Sequence, residues 1–223
     1  LDRLPEPSED FHRVAAKASK LGLALHYRQV DVRDVPGLNA TISAIADEHH
    51  GIHGLIAAAG VQYECPALDY SLEKSDFILG INVTGVFMTC QAVAKAMIAY
   101  AVRDGSMALI ASMSGTVANR GLLCASYNAS KAGVQQLGRS LAAEWGLHGI
   151  RVNTISPGYI ETEMVRGLFE TQPQRRREWA GQNMLGRIAS PEDFMGVAVF
   201  LMGGGSRWMT GSDVRIDGGH CAW

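Results

Sequence analysis

MALIASMSGTVANRGLLCASYNASK, residues 107–131, is the stretch on which the reading of this chain turns. Its first six residues are apolar or small and predict a buried strand ending at Ser112. The segment 126–147 predicts a helix, in which Tyr127 and Lys131 stand four residues apart. That spacing brings two side chains onto one helix face, about 6 Å apart along the axis. An ammonium held near a phenol favours the phenolate and lowers its pKa, giving a group that moves protons at neutral pH. Ser112 falls at the carboxyl end of a strand, where open α/β sheets keep their sites.

Outward from this stretch the chain alternates between the two periods. Residues 1–3 read as the tail of a strand, 8–20 as a helix capped by Ser8, and 23–30 as a strand followed by a DVRD turn. A helix through Val35, Leu38, Ile42 and Ile45 precedes the strand IHGLIAAAG. Leu72–Tyr100 is helical and mostly apolar, 151–156 is a strand ending in Pro-Gly, and 163–181 is a polar helical excursion. Ser190-Pro191-Glu192-Asp193 opens a helix to about Met202, with serine at the cap, proline at the first position and acids at the positive end of the dipole. DVRID forms the last strand. The expected fold is α/β: a Rossmann-like doubly wound parallel sheet with helices on both faces, in a single domain over residues 1–223.

Bulk properties narrow the function classes. The 223 residues are 47% apolar with a net charge of −2, enough for one well-buried core and unsuited to nucleic acid or anionic membrane. The one cationic cluster, RRR at 175–177, reads as a solvated helix face rather than a phosphate site. Four scattered cysteines without a C-x-x-C indicate a reducing compartment. No signal peptide opens the sequence, and no apolar run reaches the ~18 residues of a membrane span, so a cytoplasmic protein is expected. His49, His50 and His53 cluster near a helix end, but their spacing offers no fourth ligand and no metal site is expected.

The pattern S-x-x-G at 112–115, Y-x-A-S-K at 127–131 and SPGYIET at 156–162 resembles the short-chain dehydrogenase/reductase family, and the resemblance extends from Leu1 to Gly219. The spacing from Ser112 to Tyr127 fits the branch of fungal mannitol dehydrogenases and sorbose-reductase-like enzymes. The resemblance implies an NAD(P)-dependent oxidoreductase that interconverts a secondary alcohol or polyol and its ketone. By it, Tyr127 is the acid/base, Lys131 tunes that phenol and binds the nicotinamide ribose, and Ser112 donates to the developing alkoxide; S-x-x-G selects Ser112 over Ser114. Asn82, in INVTGVF, matches a helix asparagine that bends the helix and whose carbonyl anchors a proton-relaying water. The bland alternative for it is a mid-helix polar residue facing a neighbour.

The same resemblance implies the cofactor contacts. Asp31 and Val32 hold the adenine ring, unless they are an ordinary turn, and Ala58 and Gly60 stand in a family N-N-A-G whose two asparagines are alanine here. Pro157 and Gly158 turn the chain, and the Ile160 backbone and Thr162 hold the carboxamide. Asp2 would bind the adenosine ribose and favours NAD, whereas Arg3 would pair with a 2′-phosphate and favours NADP; the expectation leans to NAD. Residues 163–185 occupy the place of a substrate lid, where Met164, Phe169, Trp179 and Met184 either line the pocket or pack within the lid. Relatives commonly form tetramers through helices equivalent to 72–100 and 126–147, so a homo-oligomer, tetramer or dimer, is expected.

The family's glycine-rich T-G-x-x-x-G-x-G, which cradles the pyrophosphate, has no copy in these residues. The expectation is that about 30 residues ahead of Leu1 supply that βα unit. The competing reading is a non-redox protein, an isomerase, a cyclase or a binding module, that has given up dinucleotide binding.

Overall fold

The computed structural model describes the backbone of residues 1–223 and every side chain except those of Glu163 and Met164. Four parallel strands lie in the order β1 (Gly54–Ala57), β2 (Gly105–Ile110), β3 (Ile150–Pro157) and β4 (Asp213–Ile216). Register is fixed by pairs such as Leu55 with Met107, Met107 with Val152, and Thr154 with Asp213. Alternation along β2 sends Met107 and Leu109 to one face and Ala108 and Ile110 to the other, and both faces are covered. The first face packs on α2 (Val35–His49), α4 (Val86–Ala99) and α5 (Ala125–Trp145). The second packs on α8 (Met195–Met202) through Leu201, Val197 and Met202. Completely buried Met107, Leu109, Val134 and Val152 each contribute about 1.5–3 kcal/mol of hydrophobic burial.

The helix termini follow the chemistry of their sequences. Ser8 accepts from Phe11 N at 3.3 Å to start α1 (Glu9–Lys20), and Ser71 accepts from Lys74 N at 3.2 Å to start α3 (Leu72–Leu79). Asp34 accepts from Gly37 N at 3.1 Å at the head of α2, whose far end closes on His50 with φ 56°. Before the turn Pro191–Phe194 that leads into α8, Asp193 accepts from Ser190 N at 2.8 Å, the return half of a capping box.

Three expectations are corrected. Residues 23–28 form no strand: this region contributes one parallel bridge, Asp2 with Gln29, because no neighbouring backbone runs beside its earlier residues among those described. Arg175 is not on a solvated face. It makes a two-pronged ion pair with Glu64, both N–O distances 2.8 Å, tying α7 (Gln174–Gln182) to the loop after β1. Lastly, Leu72–Ala99 is one continuous helix long and apolar enough by composition to cross a membrane. A little over half of its most apolar stretch is buried in the protein, where α4 packs against α2, α5 and the sheet, as a core helix does.

Candidate active site

Ser112 leaves β2 in extended conformation, and its hydroxyl accepts from Ser114 N at 3.1 Å, opening a tight turn at Met113–Gly115. That turn lies directly on α5. A Cβ on Gly115 would come within 2.7 Å of the Lys131 carbonyl carbon and 2.8 Å of Ala132 N, so only glycine permits the approach. The glycine of S-x-x-G therefore sets how far the serine stands from the helix that carries Tyr127 and Lys131. The Ser112 hydroxyl sits against the Tyr127 phenol and favours its ionised form.

Lys131 is buried, its Nζ donating to Ile110 O at 2.8 Å and lying 5.7 Å from the centre of the Tyr127 ring. Burial of the ammonium lowers its pKa to about 8. The expectation of a depressed tyrosine pKa is not met in the protein by itself. Burial raises it, the Ser112 hydroxyl opposes that rise, and the Cys124 thiol adds to it. The reason is physical: removing phenolate from water outweighs the pull of its neighbours.

Asn82 lies in a π-helical turn, Gly80–Gly85, between α3 and α4, so the helix is locally widened at this residue. Its amide donates to Val61 O and to Ser130 Oγ, each at 2.9 Å, and accepts from Val61 N at 2.8 Å. The side-chain oxygen is thereby taken. Ser130 Oγ donates to Tyr127 O at 2.7 Å, so Asn82 clamps the chain after Gly60 to the turn of α5 bearing the tyrosine.

Five of the expected cofactor contacts, Asp2, Asp31, Val32, Ala58 and Gly60, line one cavity of about 470 Å³ beside β1. Its wall from Ala57 to Gly60 carries nothing larger than a methyl, and a Cβ on Gly60 would stand 3.3 Å from Lys131 Nζ. Such a wall admits a flat ligand close to the backbone, and Asp2 and Arg3 add charges suited to a ribose or its phosphate. The residues present thus fit a dinucleotide. Asp31 is already engaged, accepting from Arg33 N at 2.9 Å and Nη2 at 2.6 Å, which holds its carboxyl at about 2. Tyr127 and Lys131, also expected at the cofactor, do not line this cavity, and neither do the other four. Pro157 ends β3, Gly158 borders a smaller hollow of about 160 Å³, Ile160 bridges to Ala189, and the Thr162 hydroxyl accepts from Val165 N at 3.4 Å as the cap of α6 (Glu163–Thr171).

In the lid region Phe169 and Trp179 are buried together with Met113 and Tyr159, and the Tyr159 and Trp179 rings stack at 4.3 Å. Met184 is exposed, and the Met164 side chain lies outside those described. The three histidines singled out as a group do not form one with other ligands: among the described residues no His, Cys, Asp and Glu cluster suits a metal.

Two residues escaped the sequence reading. Gln135 donates to Ser156 Oγ at 3.0 Å and Thr116 Oγ1 at 3.1 Å, and lies 3.3 Å from Ser112 O. It is four residues beyond Lys131 on the same face, which was the available signal. Asn119, between Ser112 and Tyr127, is buried with neither amide atom hydrogen-bonded. Leaving such a group unpaired costs about 1–3 kcal/mol, and nothing in the sequence marked it.

Comparison with known proteins gives the family of the chain. The family described as Enoyl-(Acyl carrier protein) reductase matches residues 6–220. The short chain dehydrogenase/reductase notP' of Aspergillus versicolor is 42% identical over 100% of this chain and 78% of its own length. Galactitol 2-dehydrogenase of Rhizobium johnstonii is 36% identical over 98% of this chain and 84% of its own. The solved structure of a gluconate 5-dehydrogenase from Burkholderia cenocepacia, in complex with NADP and tartrate, superposes with a TM-score of 0.85 at 28% identity, covering 95% of this chain and 81% of that one. The chain belongs to the short-chain dehydrogenase/reductase family.

Proposed function

We propose that this protein, an NAD(P)-dependent oxidoreductase acting on CH–OH groups, interconverts a polyol and the corresponding 2-ketose. The observation that carries the reading is the convergence of Ser112, Tyr127, Lys131 and Asn82 at one end of the sheet, beside the cavity walled by Ala57–Gly60. The bound dinucleotide supplies the site that accepts or gives hydride. Tyr127 takes the proton of the substrate hydroxyl or returns it to the carbonyl oxygen. Ser112 donates to that same oxygen, and Lys131, adjustable near pH 8, steadies the phenolate as it forms. Asn82 and Ser130 hold Tyr127 in register through the hydrogen bonds at Val61 and at the Tyr127 carbonyl.

Asp2, Ala58 and Gly60 would hold the dinucleotide, with Val32 against its adenine. Asp2 favours NAD and Arg3 works against it, so the reading is a slight preference for NAD. The relatives that are polyol 2-dehydrogenases support the polyol side of the expected branch. We read the chain as one domain and assign it to the cytoplasm on its four free cysteines. Assembly as a homo-oligomer is supported by Met195, Val199 and Phe200 of α8, which are exposed.

The test is Tyr127→Phe, assayed with galactitol and either nicotinamide cofactor. Turnover falls by at least about 1,000-fold, while titration of NADH or NADPH fluorescence still saturates. Retained turnover overturns the assignment of the proton donor. Failure of the unmodified protein to bind either cofactor favours the non-redox alternative.

A further inference from the structure

We propose that Glu64 and Arg175 are positioning residues: their ion pair fastens the segment 158–182 as a roof across Ser112 and Tyr127 and holds substrate against them. The inference rests on the oxidoreductase reading above and deepens it. Strand order supplies the geometry. β1, β2 and β3 are neighbours in that order and all parallel, so their carboxyl ends lie in a row. The segment that carries α6 and α7 leaves the end of β3 and packs Phe169 and Trp179 on Met113, in the turn that follows β2. Its Arg175 then reaches Glu64, in the loop beyond the end of β1, through two N–O contacts of 2.8 Å. One excursion therefore touches the carboxyl ends of all three strands, and Ser112 stands at the middle one.

The pair differs from the other ion pairs of the described residues. It joins positions 111 apart in sequence, and its guanidinium, at 15% exposure, is the least exposed cation among them. The remaining side-chain hydrogen bonds that leave α7 run from Arg176 to Glu161, from Tyr159 to Gln182 and from Trp223 to Gln182, back toward the end of β3 or to the C-terminus. Glu64 is a firm anchor because its loop is pinned on both sides. Val61 exchanges two hydrogen bonds with Asn82, and Cys65 N donates to Leu123 O at 2.7 Å. Asn82 also holds, through Ser130, the turn of α5 that bears Tyr127, so roof and reacting residues share one footing. Two parallel N–H donors on one carboxylate fix direction as well as distance. Without them α7 keeps its aromatic packing but loses its far attachment, and the closed arrangement is populated for a smaller fraction of the time.

The experiment measures kcat and KM for galactitol, with the preferred cofactor, in the purified enzyme, in Glu64→Gln, in Arg175→Met and in the double variant. Each single variant raises KM by about 10–100-fold and changes kcat much less, because a roof binds substrate and transition state alike. The double variant is no worse than either single one, since both act through the same pair. Titration of NADH or NADPH fluorescence is unaltered, because neither residue lines the cavity beside β1. An unchanged KM in both single variants, or effects that multiply in the double one, overturns the proposal and leaves the oxidoreductase reading intact. Trypsin cleavage after Arg176 and Arg177, followed by mass without substrate, reads the attachment directly. It is about 10-fold faster in both single variants, with no acceleration at sites outside α7, which separates release of the roof from global unfolding. If the unmodified enzyme does not oxidise galactitol, the polyol reading fails and the pair is judged by this cleavage. Equal rates in all four proteins, or acceleration along the whole chain, then overturn the proposal.

Discussion

The segment before Asp34 and the layer built on β2 and β3 obey the same local rules and end differently. Helix α1 has its serine cap, acids in its first turn and lysines in its last, yet none of its residues is buried. Leu21, Leu23 and Leu25 beyond it are exposed, and the strand expected over 23–30 yields a single bridge at Gln29. In β2, by contrast, five of six residues are buried, because the strand has β3 beside its whole length, β1 beside Ser106–Leu109 and a helix on either face. Strand-like sequence becomes a strand where a neighbour is present to accept its hydrogen bonds. The sharpest break of this comparison is a matched pair of truncations. Met107→Ala, at a completely buried side chain, is expected to cost about 2–5 kcal/mol, whereas Leu25→Ala costs less than about 0.5 kcal/mol, both from urea unfolding. Equal costs would mean that the first segment is packed as tightly as the sheet.

Much of the site was legible because its residues are spaced by rules that hold within one element. Tyr127 and Lys131 share a face of α5, Ser112 ends β2, and Asn82 marks the widened turn. Asp2, Asp31, Val32, Ala58 and Gly60 come together along one cavity. What was not legible depends on partners distant in sequence. The pairing of Arg175 with Glu64 spans more than a hundred residues, and the orphaned amide of Asn119 exists only once the lid cluster is assembled beside it. The tyrosine pKa went the wrong way because spacing gives the distance between two charges and not the water each has lost.

Burial of charge sharpens the comparison further. Lys131, in the packed layer, has its pKa lowered from 10.5 to about 8 by loss of solvent. Below pH 8 the lysine is protonated in both folded and unfolded chains, so folding bears the full cost of burying the ammonium. Between pH 8 and 10.5 the unfolded chain binds more protons than the folded one, and stability therefore rises with pH. The difference corresponds to about 3 kcal/mol. Lys131→Met is thus expected to be more stable than the unmodified protein near pH 7, by an amount offset by the lost bond to Ile110 O, with an advantage that shrinks across pH 8–10. Urea midpoints measured at pH 7 and pH 10 check this; a constant difference would mean that Lys131 titrates at its ordinary value.

The smallest effect is a single methyl, and it tests whether tight packing is what sets the reacting geometry. Gly115→Ala places a carbon within 2.8 Å of two backbone atoms of α5, which cannot give way as a flexible side chain would. The turn after Ser112 must lift from the helix, at an expected cost of about 1–3 kcal/mol. Because that movement carries the Ser112 hydroxyl away from Tyr127, kcat is expected to fall by about 10–100-fold, with the fluorescence-measured cofactor affinity much less affected. The same change at Gly167, within α6 and with open space around its Cβ position, is expected to add about 0.5–1 kcal/mol of stability instead. One substitution then has opposite signs in two helical settings, decided by what stands within 3 Å of the new carbon. If Gly115→Ala were as harmless as Gly167→Ala, the serine's position would be set by something other than the contact between that turn and α5.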